Sequence, residues 1–346
     1  MRALALVRPG EVDFVEVPRP TPRAGEVVLR VVAAGLCQTD VHIRRPGDHR
    51  VALGTILGHE IAGTVVEAGT DVDGRMVGSQ VAVYPIWSCG TCRACLVGRR
   101  NGCLGTGDRR TAPPTCGVTA PGGIAEFVRV PVTALAAIDG LDPAVAATMA
   151  DAALTPYSSV RAVADGLGPD TVAVVIGIGG LGSMAVQILR ACTAATVVAI
   201  DLDEAALAAV AGSAHHLVRS NTPGAADQVL AATGGSGAEV VFDFVGADSS
   251  LALAADVVAP FGAIRVTGMA GGRLTLRADA RARLPRGATI AERLYGGTYP
   301  EFLDVLDLAR AGTLRPVLTR LPFADAVRAL DALEAGGIRG RAVLTL

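Results

Sequence analysis

The residues with the clearest capacity for chemistry are four closely spaced cysteines, Cys89, Cys92, Cys95 and Cys103, in the pattern C-x2-C-x2-C-x7-C. Four thiolates suit a tetrahedral zinc ion, with each sulfur about 2.3 Å from the metal. Because such a set leaves no open coordination position, the spacing predicts a closed, structural zinc site. A pair of disulfides is the alternative, but nothing else in the sequence suggests secretion, and this spacing in an intracellular protein favours metal.

Two further segments carry residue types that bind metals, residues 35–42 (GLCQTDVH) and residues 58–60 (GHE). Taken singly, each segment carries little information. A lone cysteine such as Cys37 is more often a small buried residue, and a lone histidine such as His59 is more often a structural side chain. A second metal site therefore needs support from the rest of the chain.

A glycine-rich segment, GIGGLG at residues 177–182, follows a predicted strand at 172–176 and precedes a predicted helix at 181–191. Glycines in this context permit a tight turn and let a pyrophosphate approach the positive end of the helix. Asp201 lies nineteen residues after Gly182, at the end of the next predicted strand. An acidic side chain at this position accepts hydrogen bonds from ribose hydroxyls, so the segment predicts a dinucleotide site.

The acidic residue also bears on the choice of cofactor. The carboxylate of Asp201 would repel the 2′-phosphate of NADP, and no arginine follows until Arg219, so the sequence favours NAD. The alternative for Asp201 is a solvated strand end that binds no ligand. The cofactor residues predicted in this region are Gly177, Gly179, Gly180, Leu181, Gly182, Asp201 and Val245.

The elements that must position these residues differ in type along the chain. Up to about residue 135, short valine-rich runs between Gly, Pro and Asp predict a β-rich domain. Its clearest predicted strands are 27–33, 62–68, 80–84 and 125–130.

Between about residues 140 and 295, predicted strands and helices alternate, which is typical of a doubly wound parallel sheet. The last residues, 342–346, predict an apolar strand that can rejoin the first domain. We therefore predict one β-rich domain at 1–150 and 297–346, with a cysteine lobe at 88–104, and a dinucleotide-binding domain at 151–296.

The composition argues against several classes of partner. The formal net charge is −2 and the basic residues are scattered, which argues against nucleic acid or an anionic membrane as the main partner. All 31 basic residues are arginines, so a Schiff-base lysine and a phosphate-binding lysine are excluded. Residues 1–17 alternate like a strand rather than a signal peptide, and no apolar stretch is long enough to span a bilayer. We expect a soluble, cytoplasmic protein.

Taken together, the motifs resemble those of the zinc-dependent medium-chain alcohol dehydrogenases over essentially the whole chain. The resemblance rests on the C-x-T-D-x-H segment at 37–42, the G-H-E segment, the cysteine lobe, GGIAEF at 122–127 and the cofactor glycines, in the family's order. It implies an α/β protein with a GroES-like β-rich catalytic domain and a Rossmann doubly wound parallel-sheet domain. It also implies an NAD-dependent alcohol dehydrogenase with two zinc ions per subunit, one catalytic and one structural.

The resemblance assigns Cys37 and His59 as ligands of the catalytic zinc. Where many family members carry a third, cysteine ligand, this chain has Asp151, at the start of the segment DAALTPY. Some bacterial secondary-alcohol members also carry aspartate there. We predict that Asp151 is the third ligand, because carboxylate oxygen binds zinc at about 2.0–2.2 Å and keeps the site formally neutral. The alternative is that Asp151 caps a helix and that the site holds little metal.

Other roles follow from the resemblance alone. A substrate proton would pass from Thr39, through the cofactor ribose, to His42 and then to solvent. Asp40 would orient the ligand histidine, Glu60 would lie behind the metal, and Arg341 would bind the pyrophosphate of the cofactor. The residues predicted to face the substrate are Pro85, Ile86, Trp87 and Tyr295.

The apolar and aromatic character of these last residues favours hydrophobic secondary alcohols or ketones. A polyol dehydrogenase, a zinc-free quinone or enone reductase of the same superfamily, and a catalytically impaired binding protein with this fold remain alternatives. Bacterial members of this length imply a tetramer or a dimer.

Overall fold

The computed structural model describes residues 1–45, 51–275, 283–292 and 295–346. The strands are β1 (Arg2–Arg8), β2 (Glu11–Glu16), β3 (Glu26–Leu36), β4 (Glu60–Ala68), β5 (Gln80–Val83), β6 (Phe127–Pro131), β7 (Leu135–Ala137), β8 (Val172–Ile176), β9 (Thr196–Asp201), β10 (His216–Arg219), β11 (Ala238–Asp243), β12 (Val258–Val266), β13 (Thr289–Ala291), β14 (Leu318–Pro322) and β15 (Arg341–Thr345). The helices are α1 (Gln38–Arg44), α2 (Arg93–Leu96), α3 (Pro143–Thr148), α4 (Leu154–Arg161), α5 (Gly180–Cys192), α6 (Glu204–Ala209), α7 (Ala225–Ala232), α8 (Asp248–Val257), α9 (Tyr299–Arg310) and α10 (Ala326–Glu334), with a π-helical turn at Met149–Ala153.

The chain divides into two compact units. One comprises Met1–Leu154 and Gly296–Leu346, and the other comprises Thr155–Tyr295. The predicted domain boundary at residues 150/151 stays a prediction, and the first compact unit extends through Leu154, so that it includes Asp151. The physical reason is that the π-helical turn carrying Asp151 packs against β4 and α9, which both lie in the first unit.

The first unit is built on a seven-stranded sheet in the order β14-β15-β3-β4-β5-β7, with β6 also paired to β3. The C-terminal strand β15 runs antiparallel to β3, with Ala342 opposite Leu36 and Val343 opposite Gly35. This confirms that the last strand rejoins the first domain. On the other side of β3, Gly35 lies opposite Glu60 of β4. Three segments distant in sequence are thus brought side by side.

The second unit contains a six-stranded parallel sheet in the order β10-β9-β8-β11-β12-β13. Numbered within the unit, this is the 3-2-1-4-5-6 order of a Rossmann fold, which confirms the predicted doubly wound sheet. Its core consists of small aliphatic side chains such as Val174, Val198 and Val241, all fully buried. The sequence analysis did not identify β10 as a strand, because only Val218 of its four residues is buried and an apolar pattern is absent.

In the described part of the chain, no helix has the length and apolar character needed to cross a bilayer.

Candidate active site

The second set of predicted metal ligands converges in the first unit. One ligand atom each from Cys37, His59 and Asp151 lies within 4.8 Å of the others. Oδ2 of Asp151 is 3.2 Å from Sγ of Cys37 and 3.6 Å from Nε2 of His59. A thiolate, an imidazole and a carboxylate are all ordinary zinc ligands, and three of them leave one position open as in catalytic zinc sites.

Local backbone structure positions Cys37 and His59. Cys37 precedes α1 as its N-cap residue, and its N–H donates to Oδ2 of Asp40 at 2.9 Å. Gly58, before His59, has a φ of +95°, and a Cβ there would lie 2.5 Å from the side chain of Ile124. Glycine is therefore needed before His59 for two reasons: the backbone is left-handed there, and the segment that carries Ile124 approaches closely.

Asp151 lies in the π-helical turn, an irregularity that occurs often at functional sites. Its side chain is 18% exposed, whereas that of His59 is 7% exposed, so the cluster is more accessible on the Asp151 side. The backbone N–H of Ala152 donates to Oε1 of Glu60 at 3.0 Å. This hydrogen bond fixes the turn against the start of β4.

Two buried charged residues lie behind the ligand set. Glu60 is fully buried, and Nε of Arg341 donates to its Oε2 at 3.0 Å. Burial raises the pKa of Glu60 to about 7, although the nearby guanidinium of Arg341 lowers it. Arg341 also donates from Nη2 to Oδ2 of Asp151 at 2.7 Å. The guanidinium of Arg341 thus contacts one of the predicted metal ligands, and its predicted contact with pyrophosphate stays a prediction.

The charges of the cluster favour a cation among its ligand atoms. Burial by itself lowers the pKa of His59, but hydrogen bonds to Asp151 and Cys37 outweigh it, so this pKa is raised well above its usual value. Asp40 behaves in the opposite way: burial raises its pKa, while the charge of His59 lowers it. Among the described residues, Nδ1 of His59 and Oδ1 of Asp40 are buried without a hydrogen-bond partner. Their electrostatic coupling agrees with the predicted orienting role of Asp40, which stays a prediction.

The remaining predicted residues of the reaction site have less distinctive surroundings. Thr39 and His42 are half-buried in α1, and Oγ1 of Thr39 lies 3.6 Å from Sγ of Cys37. Pro85 and Ile86 are buried in the first unit. The roles of all these residues, and of the half-buried Trp87, stay predictions. Tyr295 belongs to the second unit and is 41% exposed, and its predicted contact with substrate likewise stays a prediction.

The cysteine lobe has the geometry of a tetrahedral metal site. The four measured Sγ–Sγ separations are 3.5 Å (Cys89–Cys103), 3.6 Å (Cys92–Cys95), 3.8 Å (Cys92–Cys103) and 4.0 Å (Cys89–Cys95). Four sulfurs about 2.3 Å from a central ion would lie about 3.8 Å apart at the corners of a tetrahedron. Disulfides, with a sulfur–sulfur bond of about 2.05 Å, do not fit these separations.

Hydrogen bonds prepare two of these cysteines to bind a metal as thiolates. Burial would raise the pKa of Cys103, but the N–H of Cys89 and the hydroxyl of Thr106 donate to its sulfur and hold the pKa at about 5. Backbone N–H donors also lower the pKa of Cys92 to about 7, whereas burial raises that of Cys95 to about 11. The lobe is therefore partly charged before any metal binds.

The glycine segment of the second unit turns sharply from β8 into α5. Gly177 has a φ of +87°, and a Cβ on Gly182 would lie 1.8 Å from the carbonyl oxygen of Gly177. These two positions therefore require glycine for the turn and for close packing of helix on strand. A Cβ on Gly179 would meet nothing within 4 Å, so open space lies where a pyrophosphate would approach the backbone. The side chain of Val245 lies over Gly177.

Asp201 lies at the end of β9, beside this turn. Its Oδ2 accepts a hydrogen bond from the N–H of Ile178 at 2.5 Å, and its Oδ1 accepts one from the N–H of Asp203 at 2.9 Å. The carboxylate is thus fixed against the glycine segment, at the position expected for a ribose ligand. Contact with a ribose stays a prediction.

Comparison with known proteins decides the family. Residues 23–140 match the family model "Alcohol dehydrogenase GroES-like domain", and residues 180–310 match "Zinc-binding dehydrogenase". An NAD-dependent alcohol dehydrogenase of Sulfurisphaera tokodaii is 32% identical over 360 aligned positions, which cover 99% of each chain. The chain belongs to the zinc-dependent medium-chain alcohol dehydrogenase family.

Solved structures of two similar proteins agree with this assignment. An alcohol dehydrogenase of Aeropyrum pernix superposes with a TM-score of 0.90 at 28% identity, covering all of both chains. An acetophenone reductase of Geotrichum candidum, solved in complex with NAD, superposes with a TM-score of 0.88 at 32% identity, covering 100% of this chain and 97% of the other. The GroES-like and Rossmann architecture, the dehydrogenase class and the use of zinc and NAD are thereby confirmed.

The sequence analysis missed two residues that shape these sites. Gly35 leaves space for the buried carboxyl group of Glu60, since a Cβ there would lie 1.7 Å from Oε2 of Glu60. Asp243 ends β11 fully buried, and its carboxylate accepts hydrogen bonds from Val245 N–H at 2.8 Å, Gly246 N–H at 3.0 Å and Ser250 Oγ at 2.8 Å. An acidic residue directly after the apolar run Val240–Phe242 is the available signal for Asp243.

Replacing Asp201 by alanine is expected to lower kcat/KM for NAD by about 10- to 100-fold, because hydrogen bonds to a charged acceptor contribute about 1.5–3 kcal/mol each. The NADP/NAD ratio of kcat/KM should rise, because the repulsive carboxylate is gone. Initial rates with both cofactors measure the effect. Asp203→Ala, in an exposed N-cap two residues away, is the matched control. An unchanged cofactor ratio in Asp201→Ala would contradict the assignment.

Proposed function

We propose that this dehydrogenase interconverts hydrophobic secondary alcohols and ketones with NAD(H), using a catalytic zinc bound by Cys37, His59 and Asp151. The observation that carries the proposal is the convergence of one thiol, one imidazole and one carboxylate within 4.8 Å. The buried apolar residues Pro85 and Ile86 support a hydrophobic substrate. The structural likeness to a protein named as an acetophenone reductase points to the same substrate class.

The protein's own residues would orient the reactants and move one proton. When bound, zinc supplies Lewis acidity toward the substrate oxygen, and NAD accepts the hydride. Cys37, His59 and Asp151 hold three sides of the site and leave the fourth to the substrate. Thr39 would accept the hydroxyl proton at Oγ1 while it releases its own hydroxyl proton, and His42 would deliver the released proton to solvent. In the direction of ketone reduction, the same two side chains supply the proton.

A substrate screen tests the proposal. NADH formation should be fastest with 2-propanol, cyclohexanol or 1-phenylethanol and slow with sorbitol, in a preparation whose zinc content is measured beforehand. Faster turnover of sorbitol would favour the polyol dehydrogenase alternative. Full zinc loading without turnover of any alcohol would favour a binding protein with this fold. Reduction of quinones or enones without zinc would favour the zinc-free reductase.

Replacing His42 by alanine tests the proton path. Turnover near neutral pH should fall by about 10²- to 10⁴-fold, the range for loss of a general acid–base group. The loss should shrink as pH rises, because hydroxide or an added base such as imidazole can then take the proton directly. Pre-steady-state rates across pH 6–10 give the measurement. A pH profile parallel to that of the parent enzyme would rule out a role for His42 in the relay.

We also propose that the protein is cytoplasmic and forms a tetramer or a dimer, as the resemblance to bacterial family members implies. Sedimentation velocity measures the assembly, and a monomer at micromolar concentration would contradict it.

A further inference from the structure

We infer that Arg341 is a positioning residue for the catalytic zinc site: its guanidinium, held by Glu60, fixes the Asp151 carboxylate toward Cys37 and His59. This inference rests on the proposed ligand set and adds a role for Arg341 at the metal to the pyrophosphate role implied by the resemblance.

Arg341 contacts the carboxylate oxygen of Asp151 that lies near the other two predicted ligands. Nη2 of Arg341 lies 2.7 Å from Oδ2 of Asp151. The same oxygen lies 3.2 Å from Sγ of Cys37 and 3.6 Å from Nε2 of His59. Carboxylates that bind metals are commonly hydrogen-bonded by an outer shell of residues that orients them. Arg341 therefore determines where the ligand oxygen of Asp151 lies.

Arg341 is itself rigidly held by Glu60. Nε of Arg341 donates to Oε2 of Glu60 at 3.0 Å, and Nη2 donates to Oε1 of the same carboxylate. The two side chains are 6% and 0% exposed. Glu60 Oε1 also accepts the N–H of Ala152, so one carboxylate fixes both the guanidinium and the backbone next to Asp151. Asp151 is therefore held both through its side chain and through the adjacent main chain.

Three neighbouring strands leave space for this network. Gly35 of β3 lies between Glu60 of β4 and Val343 of β15. Because Gly35 has no side chain, the Glu60 carboxylate occupies the space where a Cβ would otherwise lie, 1.7 Å from Oε2. The acid can therefore cross β3 toward Arg341 at the start of β15.

Charge and shape explain why arginine is needed at this position. The carboxylates of Asp151 and Glu60 place negative charge in a buried region, and an unpaired buried carboxylate is strongly unfavourable. A guanidinium presents several donors in a planar fork and can contact two carboxylates at once, whereas a lysine ammonium is a point charge on a flexible stem. Arg341→Lys should therefore preserve the charge and lose the positioning.

The test compares zinc affinity and cobalt spectra in Arg341→Lys and Arg341→Met. Both variants should bind the catalytic zinc about 10- to 100-fold more weakly in competition with a chromogenic chelator, the range for loss of an outer-shell partner. The four-cysteine zinc should be unaffected. After exchange of the catalytic zinc for Co²⁺, the visible d–d bands should shift, because the carboxylate geometry has changed.

Arg320→Met is the matched control, because Arg320 lies on the adjacent strand β14 and pairs with Asp142 in an exposed ion pair. It should leave zinc affinity and the cobalt spectrum unchanged. If Arg341→Met does not fold, the double variant Glu60→Gln/Arg341→Met removes both buried charges and should still show weakened zinc binding. Parental zinc affinity and spectrum in Arg341→Lys, with a raised Kd for NADH, would overturn the inference in favour of a role in cofactor binding alone.

Two variants distinguish failure of the positioning role of Arg341 from failure of the proposed function. If Asp151→Ala retained the catalytic zinc, the ligand set itself would be wrong. If Asp151→Ala lost that zinc while Arg341→Lys kept parental affinity, only the positioning role of Arg341 would be wrong.

Discussion

Replacing Asp151 by alanine is expected to remove one zinc ion per subunit and to lower turnover by roughly 10³-fold or more. The Asp151→Ala variant keeps Cys37 and His59. These two side chains alone bind zinc far less tightly than three protein ligands do. Loss of the metal removes several kcal/mol of stabilisation of the developing charge on oxygen, and each 1.36 kcal/mol corresponds to about tenfold in rate.

Metal analysis by mass spectrometry and initial rates of NADH formation measure both effects. Asp142→Ala provides the control, because Asp142 is an N-cap residue whose side chain forms an exposed pair with Arg320 away from the ligands. Asp151→Cys provides a second comparison, since it restores the thiolate common at this position in the family and should retain zinc. Two zinc ions and parental turnover in Asp151→Ala would refute the assignment.

Replacing Cys103 by serine is expected to remove the structural zinc and to lower the melting temperature by roughly 5–15 °C. Cys95 and Cys103 are the only buried residues between positions 88 and 104, so the lobe has almost no apolar core of its own. Its folding therefore depends on the bound ion, as in other small metal-stabilised segments. A loss of several kcal/mol corresponds to a few degrees for each kcal/mol in a protein of this size.

Differential scanning calorimetry and hydrogen exchange locate this effect. Exchange should accelerate within residues 88–104 in Cys103→Ser, while the catalytic zinc stays bound. Cys192→Ser, the same substitution at the end of α5 in the second unit, should change neither the zinc content nor the exchange of the lobe. An unchanged melting temperature with two bound zinc ions would contradict a structural role for the lobe.

Much of the architecture is encoded in local patterns. The predicted strand at 172–176 is β8 itself, and that at 27–33 lies inside the longer β3. Glycine spacing predicted the turn from β8 into α5, because only a small set of residues permits the left-handed φ of Gly177. Short edge strands such as β10 were not identified, since pairing with β9 stabilises them more than their own composition does.

The change in sequence pattern near residue 150 and the end of the first compact unit at Leu154 do not coincide. Near residue 150 the sequence changes from short β-strand patterns to alternating strands and helices. The π-helical turn at Met149–Ala153 nevertheless packs with the first unit. Packing preferences of a buried alanine-rich segment such as 149–153 cannot be derived from its composition, because alanine fits many environments.

The sequence by itself determined the family and the dinucleotide segment, and it predicted the ligand residues of the two zinc sites. These depend on residue type and short spacing, which constrain local backbone geometry and ligand chemistry directly. The tertiary structure decided what surrounds them. Arg341 donates a hydrogen bond to Asp151, which lies 190 positions earlier in the sequence. Glu60 contacts Arg341 across Gly35, which has no side chain in the way. Such contacts follow from strand order and register, which no local spacing specifies.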